Sequence, residues 1–223
     1  KPNREHALAG SADRMGKIRS CLLGAALGLL LALHPGLPAS AHAAEMIPLV
    51  QDPRMERNIS DYLAELDGEY GVAVVNMADG RSAFVNADSR FPAASMYKLL
   101  VMYRVYEALE GGGLAMDDEL VIRAGDTVQD EPGGWYSPGE VTTVKQALNV
   151  MIRESSNAAS FALTRAVGGW GMVKSAAWDL GMDDTYVAGY EFWTTPDDMA
   201  LFFHLLASCK RLTPASTPEM IRV

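Results

Sequence analysis

Ser95 and Lys98 stand three residues apart in Phe91-Pro92-Ala93-Ala94-Ser95-Met96-Tyr97-Lys98. On a helix, residues at that spacing share a face, so an amine at 98 can reach a hydroxyl at 95. A serine hydroxyl is a weak nucleophile until a base takes its proton. Lysine serves as that base only when neutral, and burial among apolar groups favours the neutral amine. A helix starting here would also aim its first N–H groups at negative charge developing on residue 95. The same pair also reads as a helix cap followed by a lysine whose stem covers apolar surface. The neighbouring residues bear on the choice. Met96, Tyr97, Leu99, Leu100, Val101, Met102, Tyr103, Val105, Tyr106 and Ala108 leave almost no polar side for two turns. Such a helix belongs in the centre of a fold, and that disfavours a simple surface lysine.

Sixty residues after Ser95 comes Ser155-Ser156-Asn157. Alone it reads as a polar helix junction, because Ser and Asn favour caps and turns. In this order and at this separation, S-x-x-K followed by S-x-N resembles the class A β-lactamase-like serine hydrolases, relatives of the penicillin-binding proteins. Thr194-Thr195-Pro196-Asp197-Asp198-Met199-Ala200 is similar to the T-T-P-x-x-M-A helix start of that family, and the likeness runs from about residue 54 to about 220. It takes in an expected hairpin before Ser95 and the glycine-rich stretch at Gly133-Gly134.

The resemblance implies roles. Ser95 would attack an activated amide carbonyl and become acylated. Lys98 would relay its proton, and Ser155 would pass a proton to the departing nitrogen. Asn157 would hold the side-chain amide of the substrate, and the Ser95 N–H would be half of an oxyanion hole. The implied substrate is a β-lactam. The alternatives are a D-Ala-D-Ala cell-wall peptide, or no substrate at all in a binding domain that keeps the fold.

The chain departs from the family in three places. Ser156 stands where Asp is commonest. No K-T-G or K-S-G occurs anywhere; the family places it on a strand that would follow Val223, so the chain reads as C-terminally truncated with an incomplete sheet. The E-x-x-N loop, whose Glu activates the deacylating water in the family, is also missing from Gly181 to Thr195. Glu191 is the nearest acid there, and it reads as a solvated loop carboxylate.

Several elements must position these groups. Met55, Ile59, Tyr62, Leu63 and Leu66 have helical period over residues 53–66. Gly71–Asn76 and Arg81–Asn86, joined through Asp79-Gly80, predict an antiparallel hairpin. The central helix starts at Ser95 and stops at Gly111-Gly112-Gly113. Residues 115–140 read as loop. Thr142 or Thr143 caps a helix through Leu148 and Ile152. Others are expected from Asn157 to about Val167, from Gly168 to Leu180, and from Thr195-Pro196 to about Ala207. Two strands followed by many helices predict an α+β fold. The resemblance makes it β-lactamase/transpeptidase-like, a helical subdomain beside an antiparallel sheet.

Composition is that of a globular domain, 49% hydrophobic and 21% charged. A net charge of −9 argues against binding nucleic acid or anionic lipid. The four histidines and two cysteines have no metal-ligand spacing. No cofactor or metal is expected, and the partner is a small-molecule substrate of a monomer. Met15, Lys17, Arg19, the apolar run Leu22–Leu33 and Ala41-His42-Ala43 predict a secretory leader over residues 15–43, with residues 1–14 upstream read-through. Twelve apolar residues span only about 18 Å, too little for a bilayer core of about 30 Å. The body, residues 44–223, is then expected in a secreted or periplasmic compartment.

Overall fold

The structure, a computed structural model, describes residues 47–130, 133–188 and 191–223. The expected leader and upstream residues lie outside these. The hairpin forms as expected, with β2 (Val72–Val75) antiparallel to β3 (Arg81–Val85). A short β1 (Val50–Gln51) adds in parallel to β3, giving the order β1-β3-β2. Helix α1 (Pro53–Leu63) lies against β3; Asp52 caps it, its carboxylate accepting the Arg54 and Met55 N–H groups at 3.0 Å. Gly71 enters β2 where Phe91, Pro196 and the Asn86 carbonyl converge. A side chain there would collide with all three, so this close approach requires glycine.

The central helix is α2 (Tyr97–Glu110), preceded by a one-turn 3₁₀ segment at Ala94–Met96. Its first ten residues are buried except Leu99, in keeping with their all-round apolar pattern. Around it pack α3 (Val144–Arg153), α4 (Asn157–Ala166), α5 (Trp170–Asp179), α6 (Pro196–Ala207) and α7 (Ser216–Arg222). One apolar cluster joins them through Leu100, Val101, Tyr106, Leu148, Met151, Leu163, Ala176, Phe202 and Met220. Arg104 is buried in α2 and donates to Asp179 at 2.6 Å, Ser175 at 2.8 Å and the Met172 carbonyl at 2.7 Å, and it pairs with Glu107 as well. A buried guanidinium satisfied in this way bolts α2 to α5.

Besides β1, two strand pairs and the last helix were not expected from the sequence. Residues 115–140 contain β5 (Glu119–Val121), which pairs with β6 (Val141–Thr143). Both strands are three residues long, too short for alternation to register. Thr143 then caps α3 in a reciprocal capping box with Gln146. Gly181–Thr195 contains a hairpin, β7 (Tyr186–Ala188) with β8 (Glu191–Thr194), and β8 also pairs with β4 (Phe91–Pro92). Helix α7 is the third. The result is α+β, helices with small antiparallel sheets.

Candidate active site

Three features set Ser95. The β4–β8 pairing and the hydrogen bond from Ala93 N–H to the Phe192 carbonyl at 2.8 Å pin the incoming chain. Ala94 then turns with φ at 44°, a left-handed value that costs a non-glycine residue roughly 1 kcal/mol. Ser95 follows, exposed, in the 3₁₀ turn rather than in α2 itself. Lys98 lies in the first turn of α2, one turn on.

Ser155 arrives from the other side. It occupies the break between α3 and α4, also left-handed, with φ at 58°. Ser156 caps α4, its hydroxyl accepting the Ala159 N–H at 3.2 Å. The polar groups of the two segments meet as a cluster. Ser155 Oγ donates to Ser95 Oγ at 2.9 Å. Lys98 Nζ lies 3.0 Å from Ser155 Oγ and 3.4 Å from Ser95 Oγ, and donates to the Ser155 carbonyl.

Only 2% of Lys98 is exposed. Burial pulls its amine down from the usual 10.5 to about 8, against the nearby Asp130 carboxylate, which favours the ammonium. A lysine at that value is neutral often enough to take a proton near neutral pH. Tyr97 sits behind it and is pushed up to about 12, chiefly by burial. Its ring stacks on Phe192 of β8 with centroids 4.0 Å apart, and Trp170 meets both rings at 5.5–5.7 Å. This aromatic group backs the Lys98 side of the cluster.

Asn157 opens α4. Its Nδ2 donates to the Gln129 carbonyl at 2.7 Å, which fixes the amide plane. Sequence reasoning brought together Ser95, Lys98, Ser155 and Asn157 but missed Asp130 and Gln129. They lie 27 and 28 residues before Asn157, in a stretch with no periodic signal, so nothing in the sequence joined them to it. Glu191 stands exposed at the start of β8. Among the described residues no carboxylate hydrogen-bonds to Ser95 or Lys98. No group of three or more His, Cys, Asp or Glu that could hold a metal ion is found among them, and no helix there is long and apolar enough to cross a membrane.

An exposed serine beside a buried lysine and a second serine, on helices flanked by small antiparallel sheets, defines a β-lactamase/transpeptidase-like protein. The Beta-lactamase enzyme family model matches residues 54–223, and the chain belongs to that family. Among solved structures, PBP-A aligns at a TM-score of 0.72 and 20% identity, over 78% of this chain and 69% of that one. That likeness speaks for the fold. A β-lactamase from Sphaerobacter thermophilus aligns at 0.67 and 27% identity, over 77% and 68% of the two chains. An ancestral class A β-lactamase aligns at 0.66 and 25% identity, over 75% and 69%.

Proposed function

We propose that Ser95 is the nucleophile of an acyl-transfer reaction, with β-lactam amides as substrates and their hydrolysis as the outcome. The observation that carries this is the cluster of Ser95, buried Lys98 and Ser155. Ser95 Oγ bonds to the lactam carbonyl carbon as its proton passes to Lys98 Nζ. Collapse of the tetrahedral adduct breaks the C–N bond, and the proton returns through Ser155 to the departing nitrogen. Water then cleaves the acyl ester. Asn157, its Nδ2 already engaged, offers Oδ1 to an N–H of the substrate side chain, and the Ser95 N–H faces the oxyanion. Well-placed acid–base groups contribute about 10²–10⁴-fold to such a step.

One observation favours a second reading, a penicillin-binding enzyme of the D-Ala-D-Ala peptidase kind. The β7–β8 hairpin occupies the segment where a deacylating acid is expected, and no carboxylate among the described residues bonds to the serine or the lysine. A variant of the similar PBP-A is described as an acyl-enzyme complex with penicillin-G. Acylation followed by slow release is what such a site would give.

Incubation of the protein with a fluorescent penicillin, followed by intact mass, decides. The expected result is one penicilloyl group, lost in Ser95→Ala. Release within seconds supports the β-lactamase, and an adduct lasting hours supports the peptidase. A wild-type chain of unchanged mass would leave a non-catalytic binding domain. The basic start, apolar run and small-residue site over residues 15–43 support export, and we place the reaction outside the cytoplasm.

A further inference from the structure

Two backbone N–H groups at the head of α4 are held by no residue of α4 itself. Ser156 accepts only the Ala159 N–H through its side chain. The Asn157 and Ala158 N–H groups instead donate to one oxygen of Asp130, at 2.9 and 3.1 Å. The neighbouring Gln129 carbonyl takes the Asn157 side chain at 2.7 Å. Two consecutive loop residues thus hold Asn157 by backbone and side chain at once. Asp130 Oδ1 is satisfied. Its Oδ2 is buried and makes no hydrogen bond among the described residues.

We propose that Asp130 is a positioning residue of this site, a carboxylate that fastens the loop before residue 131 to the head of α4 and so fixes how Ser155 and Asn157 meet Ser95 and Lys98. The inference rests on the reading of Ser95 as an acylated nucleophile.

The same carboxylate acts on Lys98 through space. Its charge favours the ammonium while burial opposes it. The groups in contact with the Lys98 amine are uncharged: the hydroxyls of Ser95 and Ser155, the Ser155 carbonyl, and the Tyr97 ring 5.7 Å away. Asp130 acts on the Tyr97 phenol too, again in the direction expected of a negative charge. One unpaired carboxylate oxygen in a low-dielectric site reaches further than it would in water.

Two variants separate position from charge. Asp130→Asn keeps an oxygen acceptor for the two N–H groups and removes the charge. Asp130→Ala removes both. Titration of Lys98 by NMR of 13C-labelled lysine should show the Asp130→Asn amine losing its proton lower by about half a pH unit or more. Acylation of Asp130→Ala by the fluorescent penicillin should slow about 10- to 100-fold. An Asp130→Asn protein in which Lys98 titrates as in wild type would remove the effect of charge on Lys98, and a folded Asp130→Ala protein that acylates at the wild-type rate would overturn the positioning role. If Asp130→Ala does not fold, Asp130→Ser, whose shorter side chain brings its oxygen less far toward the two N–H groups, takes its place, and wild-type acylation there would overturn the positioning role. The titration needs no activity, so a wild type that takes no label refutes the nucleophile and leaves the Asp130 test intact.

Discussion

At the scale of single residues, Lys98 decides what this site can do. Its amine reaches two hydroxyls and is almost wholly removed from water. Only the neutral amine accepts the Ser95 proton, and its value of about 8 sets when that form exists. Below that value the ammonium dominates and acylation falls with the neutral fraction. Above it the fraction saturates. Acylation should therefore rise about tenfold from about pH 7 to about pH 9 and then level. Stopped-flow labelling across that range checks it, and a flat profile would mean that another group takes the proton. Lys98→Met fits the cavity but offers no base, so its labelling should fall by at least about 10²-fold at every pH.

At the scale of elements, Arg104 makes the joint that keeps α2 under the site. Removing it strands its partners and opens a void between α2 and α5. Arg104→Ala should cost about 3 kcal/mol, read as a lowered urea midpoint. The Asp179 side chain is 57% exposed and can find water, which holds the cost near the lower end for a broken buried pair. The elements also show where sequence is legible. Long periodic segments announced themselves: α2 by its apolar circumference, α3 by a cap at Thr142 or Thr143, and α6 by Pro196 with Asp197 and Asp198 in the first turn. Strands β5 through β8 have four residues or fewer and exist because something pairs with them. Pairing is a tertiary fact that a local window does not contain. The same holds in the site. Ser95, Lys98, Ser155 and Asn157 lie in two short runs whose spacing is readable, whereas Asp130 joins them only after the loop folds back. The central helix begins two residues later than the sequence suggests, because Ser95 and Met96 belong to a 3₁₀ turn entered through the left-handed Ala94.

At the scale of the molecule, stability is unevenly shared. The main apolar cluster begins at Tyr97 and draws nothing from α1 or β1–β3. Helix α1 has no buried residue. Amide hydrogen exchange should therefore find α2 and α4 the most protected and α1 the first to open, with α1 faster by about 100-fold or more. Comparable rates in the two would place the core differently. The two serine hydroxyls of the site belong to neither extreme. Ser95 rides the 3₁₀ turn between β4 and α2, and Ser155 the left-handed break between α3 and α4, neither in a helix itself. A rotation about one or two peptide planes can thus retune the gap between them while every helical hydrogen bond stays made. Under the proposed acylation the chemistry would be hinged onto its scaffold, and drift in substrate preference would accumulate at those bends without the scaffold having to be rebuilt.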